Sequence, residues 1–378
     1  MDNEVSIGFN YDGGKTLIVG GGLTGAALAR LLKEAKAAVT YASDVVIWDR
    51  NSILGGRAMA RSFPKQREVH VDMGAQYWTP KSDYNDDFRQ KLTQSGRLVP
   101  FAENEIAQDP YKGTVKMHLV SPDGRGFRAM VEHLLEGMET KLSTHLESFQ
   151  VLDDKRIQVT TNEGEEEIVN ELVLTCPIPI SQEEQLVSCC AGGLRALEGV
   201  AYSQRFAAAY VFDEKAVPAV QELGWTAKYV PGDESDIIRF KKQGKTSPPA
   251  LIVHTSVAFG ATFMDDTRHN DEVLAIITKS LREVLPSLPA AKDARLHRWR
   301  ITCCRLTTTP LSMLSISQVT VPYHDPSSAI GEDPVSALVL STNPRIIVAG
   351  DSFLGSGFDN CLVSAKTAAS LLQSNSAL

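Results

Sequence analysis

Long hydrophobic runs are missing from this sequence of 378 residues. No apolar run approaches the roughly 18–20 residues that span a bilayer, so we expect no transmembrane segment. The first residues include Asp2 and Glu4 and no basic residue, which argues against a secretory signal. We therefore expect a cytoplasmic protein.

Cysteine pairs and excess positive charge are also lacking. The six cysteines include no C-x-x-C pair, and no histidine stands at zinc-finger spacing, so we expect neither a disulfide framework nor a metal site. The formal net charge is -8. This balance excludes nucleic acid as the main partner, because phosphate backbones are bound by basic surfaces.

The order of segment types predicts two domains, in agreement with a length above the roughly 250–300 residues of a single core. A strand, a glycine turn, a helix and a second strand come first, and α/β character returns at the C-terminus. We predict an α/β fold in which a discontinuous Rossmann-type dinucleotide-binding domain carries an inserted α+β substrate domain with a mostly antiparallel sheet. The predicted parts are a disordered lead-in (1–14), the dinucleotide-binding domain (15–78, 122–180 and 336–378) and the substrate domain (79–121 and 181–335), with a helical pattern over 126–142.

The first glycine turn has the spacing of a dinucleotide-binding loop. Gly20, Gly22 and Gly25 form G-x-G-x-x-G between a short apolar strand and an Ala/Leu-rich helix. Asp49 ends the next strand, where its carboxylate can accept hydrogen bonds from the hydroxyls of an adenosine ribose. A glycine-rich turn without a ligand is the alternative. The context of strand, helix and acid favours the binding site, to which we also assign Thr24 and Arg50.

Other small or charged segments fit the same ligand. Gly56 and Arg57 follow Asp49 closely, and a guanidinium can neutralise a pyrophosphate. Gly350 and Asp351 follow a late strand, and Asp351 is expected to bind ribityl hydroxyls. A third segment is small enough to pass along a flat ring, and we expect contacts from Gly74, Ala75, Gln76 and Tyr77. We also expect contacts from Asn360 and Cys361, at the start of the last helix.

Together these motifs resemble the superfamily of FAD-dependent amine oxidases and flavin monooxygenases, and within it the renalase family. The resemblance runs through nearly the whole chain after residue 14. Its more specific parts are the run around His254 and the Arg-Trp-Arg at 298–300, and Asn360 departs from the glycine that renalases have there. It implies non-covalent FAD that takes a hydride from 2- and 6-dihydro isomers of NAD(P)H, giving NAD(P)+, and passes the electrons to O2, giving H2O2. It also implies that the backbone of Leu146 contacts adenine.

The substrate side is less defined. His254, Tyr77 and Trp299 are the candidate catalytic residues, as groups that orient a substrate, and Arg205 and Arg300 are candidates for a dinucleotide phosphate. The alternatives are a buried core histidine, a core tryptophan and surface salt bridges. Three other functions stay open: an amine oxidase, a protein that keeps FAD without turnover, and an NAD-dependent dehydrogenase. The second glycine cluster argues against the last.

Overall fold

The structure is a computed structural model that describes residues 14–80, 83–101, 106–108, 117–177, 200–244, 248–265, 270–300, 304–306 and 336–374. The strands are β1 (Lys15–Val19), β2 (Asp44–Asp49), β3 (Ala60–Ser62), β4 (His70–Asp72), β5 (Val99–Phe101), β6 (Ile106–Ala107), β7 (His118–Val120), β8 (Glu139–Leu142), β9 (Leu146–Val151), β10 (Ile157–Thr161), β11 (Glu166–Val169), β12 (Glu171–Leu174), β13 (Val200–Tyr202), β14 (Arg205–Val211), β15 (Ala227–Tyr229), β16 (Ile238–Gly244), β17 (Ala250–Thr255), β18 (Asp293–Trp299), β19 (Cys304–Leu306), β20 (Ala337–Thr342) and β21 (Arg345–Ala349).

The α-helices are α1 (Leu23–Ala37), α2 (Asp86–Gln94), α3 (Phe127–Leu134), α4 (Val217–Gln221), α5 (Val257–Phe263), α6 (Asn270–Val284) and α7 (Phe358–Gln373), and short 3₁₀ turns span Gly56–Ala58, Asp83–Asn85 and Glu214–Ala216. Within the described ranges, no helix is both long and apolar enough to cross a membrane.

The first large sheet has six strands in the order β20-β21-β12-β1-β2-β8. All of its neighbours are parallel except the edge strand β20. Ile18 packs under the helices and Leu17 packs on the other side against the β9–β11 sheet, which explains why β1 is apolar at successive positions. The sheet joins strands from the two ends of the chain, as the Rossmann-type prediction requires.

The second large sheet has the order β18-β14-β17-β16-β15-β6 and is antiparallel apart from the short β15–β6 pair. Phe206 and Tyr210 face the core under α6, while Ala207 and Ala209 face the β3–β4 hairpin of the first region. The predicted fold class, with a mostly antiparallel substrate sheet, is confirmed. The proposed domain boundaries stay a prediction. In the described parts of the segment 79–121, Phe88 packs with the helices of the parallel sheet, and β6 is the one strand that pairs with the antiparallel sheet.

The prediction of a helix over 126–142 was wrong for the second half of this segment. The helix ends at Leu134, Gly137 takes a φ of 71°, and Glu139–Leu142 become the edge strand β8. Parallel pairing with β2 supplies the hydrogen bonds that the continued helix would have supplied. The lead-in before Gly14 lies outside the described residues.

Candidate functional site

The three motif glycines of the first turn have different surroundings. Gly20 has a φ of 119°, a conformation that side chains rarely adopt. A β-carbon at Gly25 would lie 2.0 Å from the carbonyl oxygen of Gly20, so this glycine allows the helix to pack on the turn. A β-carbon at Gly22 would meet only the Cα of Gly56, at 3.9 Å. Gly22 therefore borders open space at the N-terminus of α1, where a phosphate is favoured.

Asp49 is buried at the carboxyl end of β2 and holds the turn. Its Oδ2 accepts a hydrogen bond from the Gly21 N–H at 2.8 Å, and its Oδ1 accepts bonds from the backbone and side-chain nitrogens of Asn51, both at 2.8 Å. A carboxylate offers about four acceptor positions, so the group has room for a ribose hydroxyl. Arg50, the next residue, is exposed.

The second glycine cluster lies directly against the first. The Gly55 N–H donates to the Gly21 carbonyl at 3.0 Å, and a β-carbon at Gly56 would lie 3.2 Å from the Cα of Gly22. Gly55 and Gly56 have φ values of 120° and 53°, which explains the requirement for glycine at both. The two glycine turns together form one backbone cradle with little side chain in it.

Arg57 forms a bidentate ion pair with Asp351, with both N···O distances 2.6 Å. Burial by itself lowers the pKa of Arg57, and the charge and hydrogen bonds of Asp351 more than offset this, so the net pKa is raised. The pair joins the start and the end of the chain at one edge of the parallel sheet. The roles of Arg57 toward a pyrophosphate and of Asp351 toward ribityl hydroxyls stay predictions.

The first turn of α7 is fixed from several sides. The side chain of Asn360 donates to the carbonyls of Leu354 and Gly355 at 2.7 and 2.9 Å. Cys361 is hydrogen bonded to the Thr24 side chain, and burial raises the pKa of its thiol to about 11. Cys361 is thus a protonated group at the junction of α1 and α7, and flavin contacts by Asn360 and Cys361 stay predictions.

Four side chains that support this edge were not predicted from the sequence. Thr175 Oγ1 donates to the Gly20 carbonyl at 3.0 Å, and Asn85 Nδ2 donates to the buried Asp359 Oδ1 at 3.1 Å. Tyr202 and Ser352 share a hydrogen bond of 2.9 Å that links the substrate region to the loop after β21. Thr175 could have been found, since it follows a buried parallel strand at the edge where ligands bind.

The segment 74–76 runs beside this cradle. A β-carbon at Gly74 would lie 1.9 Å from the Arg57 carbonyl, and the Ala75 N–H donates to the same oxygen at 2.9 Å. Gln76 Nε2 is bonded to the carbonyls of Asp72 and Gly74. This backbone is held against the second glycine cluster, and it brings the small residues Gly74 and Ala75 into the same region.

Three substrate-side candidates share one face of the antiparallel sheet. Arg205 is paired in register with Trp299, and Ala207, two residues along, is paired with His254. Because alternate residues share a face, Arg205 and His254 lie on the face of Ala207, toward the hairpin. Trp299 Nε1 donates to the Met73 carbonyl at 2.9 Å, and a β-carbon at Gly74 would lie 3.3 Å from its ring. The face therefore meets the cradle at Trp299.

The remaining candidates lie elsewhere. The Tyr77 hydroxyl is bonded to that of Tyr229, and its ring meets His118 edge-on at 4.9 Å. Leu146 is buried with the core between the parallel sheet and the β9–β11 sheet. Arg300 is exposed and pairs with Asp265 at 3.4 Å. Catalytic and adenine-binding roles for these residues stay predictions.

The residues present fit a dinucleotide cofactor such as FAD. The space at Gly22, the N–H groups of α1 and the carboxylate of Asp49 lie together at the carboxyl ends of β1 and β2. This is where open parallel sheets bind such ligands. In the described part of the chain, no cluster of three or more His, Cys, Asp or Glu side chains is arranged to hold a metal ion.

Comparison with known proteins agrees with this geometry. Residues 100–373 match the family described as flavin containing amine oxidoreductase, and residues 18–94 match an NAD(P)-binding Rossmann-like domain. Mouse renalase is 26% identical over 373 residues, which cover 95% of this chain and 98% of renalase.

Solved structures of two putrescine oxidase variants share the fold. Both were redesigned at the cofactor-binding region, and both are 11% identical to this chain, with TM-scores of 0.59 and 0.58. The first alignment covers 94% of this chain and 98% of the other, and the second covers 96% and 99%.

Proposed function

The chain belongs to the flavin containing amine oxidoreductase family and is an FAD-dependent oxidoreductase, and on that premise we propose that it oxidises 2- and 6-dihydro isomers of NAD(P)H to NAD(P)+ with O2 as the electron acceptor. In this reaction the substrate loses a hydride. Dioxygen gains those two electrons, the proton left from the hydride and one proton from solvent, and becomes H2O2. Bound FAD supplies the hydride acceptor and the route of the electrons to O2.

The observation that carries the proposal is the chemistry of the substrate face. Trp299 meets the cradle, and Arg205 and His254 lie on the same face of the sheet, so an aromatic ring is accompanied by a cation and an imidazole. An indole ring stacks well on a flat, uncharged dihydronicotinamide. A guanidinium on the same face repels an ammonium substrate.

The acidic residue on the Trp299 face of β18 supports the same choice. Asp293 lies at the far end of the strand, where its Oδ2 accepts the Lys65 N–H at 2.6 Å and its Oδ1 accepts the Ala294 N–H at 2.9 Å. It is therefore engaged with the backbone, away from Trp299. An amine oxidase would be favoured by a carboxylate beside the aromatic ring. Amine oxidation, which the family name includes, is the second candidate.

These residues have roles in holding the substrate. Trp299 is fixed by its bond to Met73, so its ring is a preformed wall for a planar group. The product is aromatic, and hydride loss therefore requires no strong general base. We assign orientation of the substrate to Trp299 and His254.

The test is anaerobic mixing of the flavin-loaded protein with 2-dihydro-NAD, 6-dihydro-NAD, ordinary NADH and a set of amines, while the flavin absorption band is recorded. We expect rapid bleaching by the two isomers, slow or no bleaching by NADH, and none by amines. Admission of air should restore the band and produce one H2O2 for each substrate consumed. Bleaching by amines alone would show that the second candidate is correct.

A flavin that only dithionite reduces would instead indicate a protein that stores FAD. Trp299→Phe is the informative variant, with Trp225→Phe as the matched control, because Trp225 packs with the core on the opposite face of the sheet. We expect a KM several-fold higher for the isomers in the first variant and no change in the second.

A further inference from the structure

A polar stripe runs along one face of β18. Alternate residues of a strand share a face, and here these are Asp293, Arg295, His297 and Trp299. Two residues of the stripe contact the β3–β4 hairpin region. Arg295 donates to the Ser62 carbonyl at 2.7 Å, and Trp299 donates to the Met73 carbonyl. His297 lies between them, with its ring 4.4 Å from that of Trp299 in an edge-on contact. The stripe thus leads outward from the cradle.

Three arginines lie near the outer part of this stripe, close enough for the charges of Arg295 and Arg128 to act on Arg61, and we call Arg61, Arg128 and Arg295 the arginine cluster. Arg61 is the neighbour of Ser62 in β3, so it lies next to the bond made by Arg295. The aliphatic part of Arg128 lies 3.5 Å from the β-carbon position of Gly55, beside the second glycine turn. All three are partly exposed, so an anion from solvent can reach them.

Among the described residues, only one of the three arginines in the cluster has an acidic partner. Burial lowers the pKa of Arg61, and the charges of Arg295 and Arg128 lower it further. Arg128 pairs with Glu132 at 2.7 Å, but among the described residues no acidic side chain forms an ion pair with Arg61 or Arg295. Such mutual repulsion in a chain of net charge -8 is relieved when an anion binds.

We propose that Arg61 and Arg295, with Arg128 behind them, form a subsite for the diphosphate of a dinucleotide substrate. Planar guanidinium groups bind phosphate oxygens in pairs, with charge-assisted hydrogen bonds. Arg295 precedes Trp299 by four residues on the same face, about 13 Å along the strand. A molecule with its flat ring at Trp299 and its phosphates farther along the stripe therefore fits this spacing. The inference rests on the proposed function, which gives the substrate its diphosphate.

Direct binding tests the subsite without turnover. Flavin-loaded protein is titrated calorimetrically with inorganic pyrophosphate and with ADP-ribose, for the unchanged chain and for Arg61→Gln and Arg295→Gln. We expect Kd to rise tenfold or more in both variants. Arg156→Gln is the control, since Arg156 pairs with Asp154 in a distant exposed turn, and its Kd should not change. Equal Kd values in all four proteins would overturn the proposal.

We expect the Arg61→Gln variant to fold normally, so a weaker affinity in this variant reports on binding. Its removal relieves repulsion from Arg295 and Arg128, so the variant should retain its flavin and its melting temperature. Arg61→Lys retains the charge without the planar fork, and we expect it to recover part of the lost affinity. A lysine variant as weak as the glutamine variant would argue against phosphate binding by charge.

A kinetic arm separates this inference from the proposed function. With 6-dihydro-NAD, both glutamine variants should raise KM about tenfold and leave kcat unchanged, whereas an N-alkyl dihydronicotinamide without phosphate should show no difference. Unchanged KM with the dinucleotide, or pyrophosphate that binds without competing with it, would overturn the subsite alone. If no dihydronicotinamide reduces the flavin, the proposed function fails while the titration still reports whether the arginines bind a diphosphate.

Discussion

The two ends of the parallel sheet both contain buried carboxylates, but they are completed differently. At the amino end, Glu171 pairs with Arg345 at 2.7 Å and accepts hydrogen bonds from Thr16 and Tyr41. At the carboxyl end, Asp49 is bonded mainly to the backbone of its own turns, and Gly22 borders open space. The protein satisfies the carboxylate at the amino end with side chains, whereas the carboxyl end, apart from the Arg57–Asp351 pair, leaves acceptor positions at Asp49 for a ligand. The amino end should therefore determine stability, and the carboxyl end should determine binding.

The largest expected effect comes from the open space at Gly22. Gly22→Val fills the place that the phosphates need, so we expect a folded protein that purifies without flavin. A φ of -85° suits any residue, and the nearest atom to the new β-carbon is 3.9 Å away, so the fold itself has no reason to change. Flavin absorbance for each purified chain, with the circular dichroism spectrum, is the measurement.

Gly25→Ala is the contrasting variant. Its single added carbon would lie 2.0 Å from a backbone oxygen, so here we expect loss of soluble, folded protein. A yellow Gly22→Val protein with full flavin occupancy would contradict the placement of the cofactor.

At the amino end, Glu171→Gln should lower the free energy of unfolding by about 3 kcal/mol, because it leaves the charge of Arg345 without its buried partner. Urea denaturation of the flavin-free protein measures this. The dissociation constant of FAD should stay the same within twofold. A variant that loses flavin affinity and keeps its stability would break the contrast between the two ends.

Asp49→Ala should have the opposite pattern. Loss of a charge-assisted bond to a ribose hydroxyl weakens FAD binding by about 1.5–3 kcal/mol, a factor of about 10–150 in the dissociation constant. Fluorescence titration of flavin-free protein with FAD measures it. Asp44→Ala, on the same strand but exposed and paired with Lys36, is the control and should bind FAD normally. Similar affinity in both variants would remove Asp49 from the site.

The sequence predicts the carboxyl end of the sheet well because its parts are local. Gly20, Gly22 and Gly25 lie within six residues, and Asp49 ends the strand that follows the helix. Backbone geometry makes the site, and backbone geometry is readable from glycine spacing. The same locality misleads over 126–142, where the helical pattern is local but the strand β8 is imposed by its pairing with β2.

The substrate face is not readable in this way. Arg57 and Asp351 are 294 positions apart, and Arg295 reaches Ser62 across 233 positions. His254 was assigned by resemblance, but its alignment with Arg205 and Trp299 depends on the register of three strands. A shift of one residue in any of them would move its side chains to the other face. Only the folded chain brings these groups together.

The smallest predicted effect is on the pH dependence of stability, and it arises from His297, which lies beside the arginine cluster. Burial first, and then the charges of Arg61 and Arg295, lower the pKa of His297 to about 4. The unfolded chain has an ordinary histidine pKa near 6.5, so between about pH 6.5 and 4 the unfolded state binds more protons than the native state. Stability should therefore fall as the pH falls through this window, by about 1–2 kcal/mol for this partly exposed residue.

The measurement is urea denaturation at pH 7.5 and 4.5 for the unchanged chain and for His297→Gln. The variant should lose about 1–2 kcal/mol less free energy of unfolding at the lower pH than the unchanged chain does. Above pH 6.5, the free energy of unfolding should depend on pH in nearly the same way in the two proteins.

Bound pyrophosphate places negative charge beside His297 and so should raise the pKa of this residue. The two proteins should then differ less in the pH dependence of their stability. Glu171→Gln should respond to pyrophosphate like the unchanged chain, because its end of the sheet is completed by the protein. A pH dependence that is the same with and without His297 would show that the arginines do not act on this imidazole.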